Sequence, residues 1–342
     1  MSDISYRQMM RRMLKYWLEL QARVSGRRFY CQALSGLSGY NIVVNSDMTV
    51  SCNCQDFDGT GHIGDLSKNS LEEVFRGPTA HAFRTMLAGG RLPILTCSRC
   101  VELKTASPEE ATRRITEFDL PSQGLMIENT VLCNLNCVAC ARHQVMKTRH
   151  RMSMTLDDIA RLSSMIRQYG IKQVAFFNLG EPFLAKDILR QLQILRHDNP
   201  ALHIVISTNA ALLDTDDKRE AALLVDELYF SIDGVTDAMV QKYQRKGSFQ
   251  RSYANLVELL RFRKARGLKK PWIEWKYVVF NWNDHPRMIR RAIDLAKASG
   301  VDGISFWPTM NPLWGTSLRF RYGDFFKTVG FASWKGREVH FT

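Results

Sequence analysis

The sequence predicts an α/β protein: a partial (β/α)6, TIM-like barrel preceded by a small α+β domain rich in cysteine. Three observations carry that expectation. From about residue 125 onward, short β-branched or aromatic runs alternate with amphipathic helical stretches, the βαβα order that implies a parallel sheet. All eight cysteines fall within the first 140 residues. The polar motifs of the second half follow the ends of predicted strands, where barrels of this kind carry their functional groups.

The proportions are those of a folded chain. With 342 residues, 45% hydrophobic and 24% charged, the sequence has room for about two domains and shows no low-complexity signature. Apolar runs such as Val174-Ala175-Phe176-Phe177 fall far short of the ~18 residues that a membrane-spanning helix requires. A net charge of +13 favours an anionic partner: a phosphorylated metabolite, an acidic protein, a nucleic acid or a membrane surface. No nucleic-acid recognition motif appears, so nucleic acid is not the expected partner. The first residues lack the uninterrupted apolar segment of a secretory signal, which reads as a cytoplasmic protein.

Residues 1–28 are expected to form an N-terminal amphipathic helix. Met9, Met10, Met13, Leu14, Trp17 and Leu18 recur at helical spacing with Arg11, Arg12 and Lys15 between them, as in a helix packed on its own protein rather than a membrane-surface anchor. Residues 29–118 form the cysteine-rich domain. Within it Cys31 precedes a strand-like run over 40–44, a turn at Asn45-Ser46-Asp47 and then Cys52-Asn53-Cys54, so a hairpin presents those thiols. The segment ends at Cys97-Ser98-Arg99-Cys100. In a reducing cytoplasm, thiols this closely spaced point to metal ligands or redox groups rather than disulfides.

Residues 119–310 form the barrel. Six strands are expected at 125–131, 173–178, 203–207, 227–232, 272–280 and 303–307, and helices at 155–169, 185–198, 216–225, 248–266 and 286–299. Right-handed crossovers would curl such a sheet into a partial barrel. Residues 311–342 remain as a C-terminal extension.

The first strand runs into Cys133-Asn134-Leu135-Asn136-Cys137-Val138-Ala139-Cys140. Three thiolates in one compact loop can hold three irons of a [4Fe–4S] cube and leave the fourth open to a small molecule. A zinc knuckle or a buried turn is the alternative. The second strand runs into Asn178-Leu179-Gly180-Glu181-Pro182, the third into Ser207-Thr208-Asn209 and the fourth into Ser231-Ile232-Asp233-Gly234. The fifth, from Trp272 to Asn283, alternates large and polar groups, and Lys276 is a weak catalytic candidate that would meet a substrate carboxylate or phosphate inside the barrel. Trp307, Asn311 and Trp314 lie just past the sixth, where a substrate lid would sit.

On these motifs, over residues 125–307, the sequence resembles the radical S-adenosylmethionine (radical SAM) enzymes. The resemblance implies that Cys133, Cys137 and Cys140 bind the cluster whose open iron chelates the methionyl amino and carboxylate groups. Leu179-Gly180-Glu181-Pro182 resembles the family's Gly-Gly-Glu-Pro motif, implying cofactor contact at Gly180 and Glu181. Ser231 and Arg245, fourteen residues apart, resemble the pair that grips the methionyl carboxylate. Ser207, Thr208 and Asn209 resemble the ribose-binding strand end. Two departures stand out: Leu179 replaces the first glycine, and Ala139 replaces a usual aromatic residue.

Residues 29–118 resemble the SPASM, or shorter twitch, domain of radical SAM maturases, on Ile63-Gly64-Asp65-Leu66, Ser70-Leu71-Glu72-Glu73 and the terminal Cys97-Ser98-Arg99-Cys100. Here it precedes the barrel rather than following it, and five cysteines suit one cluster. The resemblance implies an auxiliary [4Fe–4S] cluster on Cys31, Cys52, Cys97 and Cys100 with Cys54 in reserve. A four-thiolate zinc site on Cys52, Cys54, Cys97 and Cys100 is the rival.

The activity so implied is reductive cleavage of S-adenosylmethionine to a 5′-deoxyadenosyl radical, which abstracts hydrogen from a small sugar, nucleoside or amino-acid type substrate. An acidic flavodoxin or ferredoxin suits the basic surface as reductant. The alternatives are a peptide maturase, for which no spare leader-binding domain is expected before Cys31 or after Trp307, and a non-catalytic metal-binding interaction protein.

Overall fold

The computed structural model describes residues 3–319 and 338–340. Most of the expected C-terminal extension, 311–342, lies outside the described residues. The chain is α/β with a mostly parallel arrangement of strands, and it divides into two compact units.

Unit 1 comprises Met1–Val131, Arg142–Asn178 and Asp198–Leu202. It begins with α1 (Asp3–Val24), β1 (Arg28–Cys31), β2 (Val43–Val44), β3 (Thr49–Ser51) and β4 (His62–Asp65). Then come α2 (Leu71–Arg76), α3 (Pro78–Ala88), β5 (Leu103–Ala106), α4 (Pro108–Thr116), β6 (Gly124–Ile127), α5 (Arg142–Val145), α6 (Leu156–Gln168) and β7 (Gln173–Ala175). It therefore joins the cysteine-rich segment to the first two strands of the expected barrel.

Only one edge of the apolar stripe expected on α1 is seated, with Met10, Leu14 and Leu18 partly buried. Leu18 and Ala22 pack with Phe29, Leu87 and Leu92, whereas Met9, Met13 and Trp17 are 41%, 59% and 54% exposed. The turn at Asn45–Asp47 does close a hairpin, with Met48 in the left-handed region at φ 69°. Its first strand has only two residues, and those two also pair in parallel with β6. That second pairing extends the sheet past β6 in the order β7-β6-β2-β3-β4.

The expected strand 125–131 ends at Ile127, where its pairing with the two short neighbours β2 and β7 runs out, although the Glu128 N–H still donates to the Val44 carbonyl at 2.9 Å. Glu128, with no exposed surface, accepts from Arg149 Nε at 2.8 Å, from the Asn178 amide at 2.9 Å and from the Ser46 N–H at 3.3 Å. Arg149 in turn donates to Asn45 Oδ1 at 2.7 Å. Helix α6 is set by local chemistry: Thr155 and Asp158 form a reciprocal capping box at its start, and Gly170 at φ 60° follows its end.

Unit 2 comprises Leu132–Ala141, Leu179–His197 and His203–Thr342. Its elements are α7 (Ile188–Asp198), β8 (His203–Thr208), α8 (Asp216–Leu223), β9 (Glu227–Ser231), α9 (Asp237–Gln241), α10 (Phe249–Ala265), β10 (Trp272–Val279), α11 (Pro286–Ser299), β11 (Gly303–Pro308) and β12 (Glu338–His340). β8, β9, β10 and β11 run parallel in that order, and β12 adds antiparallel to β11.

Side chains alternate across these strands. Ile204, Ile206, Leu228, Phe230, Ile273, Trp275, Tyr277, Ile304 and Phe306 are buried on one face. Trp275 and Tyr277 continue into an aromatic cluster with Tyr253 and Phe306 at centroid separations of 5.9 and 5.4 Å. Their polar tips are satisfied, since Trp275 Nε1 donates to the Ile232 carbonyl at 2.8 Å and the Tyr277 hydroxyl to that of Asn283 at 3.0 Å.

Removing one partner of the Glu128–Arg149 pair strands a buried charge. Arg149→Met should cost about 3–5 kcal/mol of unfolding free energy, read as a fall in urea midpoint. Combining it with Glu128→Gln should restore part of the loss, because the stranded charge is then gone.

Candidate active site

The three-cysteine loop, residues 132–141, lies in unit 2 and is gripped by four other segments of that unit. The Glu181 N–H donates to the Leu132 carbonyl at 2.8 Å. The Asn136 and Val138 N–H groups donate to the carbonyls of Arg245 at 3.0 Å and Tyr243 at 2.9 Å, just past α9. The Asn311 amide donates to the Ala139 carbonyl at 3.2 Å. At the end of β8, Asn209 Nδ2 donates to Asn134 Oδ1 at 2.9 Å and lies 3.8 Å from Cys133 Sγ.

Glu181 is buried to 2% exposure and receives three further donors. The Thr208 hydroxyl and the Phe183 N–H reach one carboxylate oxygen at 2.7 and 3.2 Å, and the Asn209 N–H reaches the other at 2.8 Å. Burial raises its pKa, and these donors oppose the rise. The carboxylate is thus a fastener between two strand-end loops, and Gly180 beside it is half-buried.

Past Asn209 the backbone takes a conformation that alanine rarely adopts: Ala210 has φ 65°. Two side chains of α10 hold it there. Ser252 Oγ donates to the Asn209 carbonyl and Asn255 Nδ2 to that of Ala210, each at 2.8 Å.

Ser207 and Ser231 bring their hydroxyls within 3.2 Å of each other. Gln244 Nε2 donates to the Ser231 carbonyl at 2.9 Å, so the end of β9 is tied to the turn carrying Arg245. Arg245 itself is exposed, and only its backbone touches the cysteine loop. Lys276, on β10, is half-buried with its ammonium 4.4 Å from the centre of the Trp307 ring.

Two residues of this neighbourhood had no role assigned from the sequence, although Asp233 stands in the motif that ends the fourth strand. Gln244 reads as an ordinary helix-end amide. Asp233, 3% exposed, accepts from the Val278 N–H at 3.0 Å, and burial pushes its pKa up to about 7 against the opposing effects of that bond and of Lys276. Burial also raises the Cys137 thiol strongly, and Cys140, Asp233 and Cys133 add to the rise through their negative charge. Thiolates in this loop therefore need a compensating cation, which suits a metal cluster as ligand.

The remaining thiols lie in unit 1, and none of the eight cysteines is in a disulfide. Burial first, then Cys100 and Cys97, pushes Cys31 up to about 12, with backbone donors partly opposing. Cys52 is raised by burial and by Cys31 and Cys97, while burial pushes Cys97 up to about 11 with Cys100 contributing. Cys31, Cys52, Cys97 and Cys100 are thus within electrostatic reach of one another. Cys54 is in reach of Cys100 as well, burial and then that thiol pushing it up to about 11, and it donates to Asn41 Oδ1 at 3.2 Å. Among the described residues no three such side chains converge tightly enough for a single ion.

The α/β fold with parallel strands thus carries a three-thiol loop at one strand end. Residues 127–270 match the family model of the Radical SAM superfamily. No curated protein matches the sequence. Among solved structures, Streptococcus suis SuiB bound to S-adenosylmethionine is 14% identical with a TM-score of 0.42, over 82% of this chain and 63% of that one. The enzyme anSMEcpe with bound AdoMet and Kp18Cys peptide is 17% identical with a TM-score of 0.43, over 60% and 58%. The methyltransferase TsrM from Kitasatospora setae, with cobalamin and a [4Fe–4S] cluster bound, is 15% identical with a TM-score of 0.41, over 59% and 36%. The chain spans less than two thirds of the length of each.

The raised pKa of Asp233 has a consequence for stability. An acid held at about 7 when folded and 3.8 when unfolded contributes fully below 3.8, and that contribution is lost as pH rises through 7. Asp233→Asn should therefore gain on the wild type by up to a few kcal/mol between pH 5 and pH 8, measured by denaturant unfolding at both.

Proposed function

We propose that Cys133, Cys137 and Cys140 hold a [4Fe–4S] cluster with one iron free of protein ligands, and that S-adenosylmethionine binds at that iron. The observation that carries this reading is the loop itself: three thiols on one short segment, held by four other segments of unit 2, with Asn209 against Cys133. Bound there, the pair supplies reductive cleavage of S-adenosylmethionine and abstraction of hydrogen from a substrate C–H bond.

The protein's own part is to bind and orient. The Gly180-Glu181 backbone lies beside the start of the cysteine loop, where it would accept from the methionyl ammonium while the Glu181 side chain stays with Thr208 and Asn209. Arg245, anchored through its carbonyl to Asn136, would swing its guanidinium onto the methionyl carboxylate, with Ser231 as second contact. Ser207 and Asn209 would meet the ribose.

In unit 1 we place an auxiliary [4Fe–4S] cluster on Cys31, Cys52, Cys97 and Cys100. The negative charges of Cys97 and Cys100 raise the Cys31 thiol, and those of Cys31 and Cys97 raise Cys52, a clustering of thiols that suits a polynuclear iron–sulfur group. The substrate is a small molecule of sugar, nucleoside or amino-acid type. The net charge of +13 favours an acidic flavodoxin or ferredoxin as reductant, and eight cysteines with none in a disulfide suit the reducing cytoplasm.

Anaerobic metal analysis with product assay tests both clusters. Two cubanes mean about eight irons per chain, and the Cys133/Cys137/Cys140→Ala variant should keep about four while losing all 5′-deoxyadenosine release with dithionite. Equal release from that variant would refute the catalytic assignment. One zinc per chain after metal-restricted expression would refute the auxiliary cluster.

A further inference from the structure

Parallel strands covered on both faces are usually apolar on both. In unit 2 one face follows that rule and the other does not. The second face carries Tyr229 and Ser231 on β9, Glu274 and Lys276 on β10, and Ser305 and Trp307 on β11. Register sets Ser231, Lys276 and Ser305 directly beside one another across the three strands, with neighbouring strands about 4.8 Å apart.

The two carboxylates nearest Lys276 are already served by the chain. Glu274, 6% exposed, accepts from the Ser305 hydroxyl and from Trp272 Nε1 at 3.4 Å. Asp233 accepts from the Val278 N–H. Ser305 Oγ also accepts from Trp307 Nε1 at 2.8 Å, which fixes the indole over the ammonium. Lys276 is served differently. Its ammonium lies against the Trp307 ring, and among the described residues it has no hydrogen bond to an acceptor and no carboxylate oxygen within ion-pair distance. A ring face satisfies part of a cation's demand, but it leaves three N–H donors without oxygen partners in a half-buried place. Burial lowers the Lys276 pKa, and the negative charges of Asp233 and Glu274 work against that fall. The unmet demand is for anionic oxygen.

We propose that Lys276, capped by Trp307 and beside the Ser231 hydroxyl, is the subsite for an anionic oxygen group of the substrate, a carboxylate or a phosphate. The inference rests on the radical SAM reading of unit 2, because Ser231 in the same row is assigned to the cofactor and sets the anion one strand from it. It narrows the substrate to small polar acids or phosphate esters. Lys276 acts as a positioning residue: it fixes one end of the substrate so that the C–H bond to be broken faces the cofactor.

The test uses cluster-loaded enzyme with S-adenosylmethionine bound and two probes, inorganic phosphate followed by its ³¹P linewidth and ¹³C-carboxyl acetate followed by its ¹³C linewidth. One of the two should bind saturably, and which one separates a phosphate from a carboxylate substrate. Lys276→Met should weaken that binding at least tenfold, and Lys276→Arg should keep part of it. Iron content and S-adenosylmethionine affinity, measured on the same samples, should not change in Lys276→Met. Saturable binding of neither anion, or equal binding by wild type and Lys276→Met, would overturn the subsite. A fall in S-adenosylmethionine affinity in Lys276→Met would also overturn it, by reassigning the lysine to the cofactor. Failure of wild type to take up iron on Cys133, Cys137 and Cys140 would instead count against the radical SAM reading.

Discussion

A buried carboxylate without partners is among the costliest groups a protein can hold, and Glu181 is buried to 2% exposure. It is tolerated because three donors converge on it, and those donors come from two different strand ends. The requirement to satisfy Glu181 therefore fixes the loop after residue 178 against the end of β8. Asn209, held by its N–H to Glu181, is then aimed at Asn134 and Cys133. One electrostatic demand thus propagates through Asn209 to the first thiol of the cysteine loop, and the Glu181 N–H reaches the same loop directly at Leu132. Ala210 in the left-handed region is a local cost of this arrangement, offset by the two bonds from α10.

Much of this was legible in the sequence, for physical reasons. Strands β8 to β11 and helices α6, α10 and α11 follow from hydrophobic period and from capping residues such as Thr155, Ser248 and Pro286, all of them local signals. What failed was non-local. Strand 125–131 stops short because its partners β2 and β7 are only two and three residues long, and Glu128 just past it meets Arg149, twenty-one residues on, which also reaches Asn45 far upstream. A two-residue strand such as β2 has no periodicity to read, yet it joins the hairpin to β6. The apolar positions of α1 were visible, but which of its faces would pack on Phe29 and Leu92 was not.

The candidate site shows the same division. Cysteine spacing and the motifs after β7, β8 and β9 are short-range patterns and could be read. Asp233 and Gln244 could not, since each acquires its role from a partner on another element: Val278 for the first, Ser231 for the second. Lys276 was visible as a charge in an alternating strand, but its one-sided environment follows from register with Ser305 and from the indole of Trp307. The two thiol sets fall in different units, one on a single loop and the other gathered from three separate segments, which suits a cofactor-binding site and a structural or redox site respectively.

The claim on which this account turns is that an iron on the Cys133–Cys137–Cys140 loop is open and that the methionyl end of S-adenosylmethionine occupies it. Pulsed electron–nuclear spectroscopy of the reduced enzyme, with S-adenosylmethionine labelled with ¹⁵N at the methionyl amino group, reads that contact directly. The account predicts a resolved hyperfine coupling from the ¹⁵N to the reduced cluster, absent in the Cys133/Cys137/Cys140→Ala variant. A fully reduced, fully loaded enzyme that binds S-adenosylmethionine without such a coupling would contradict it.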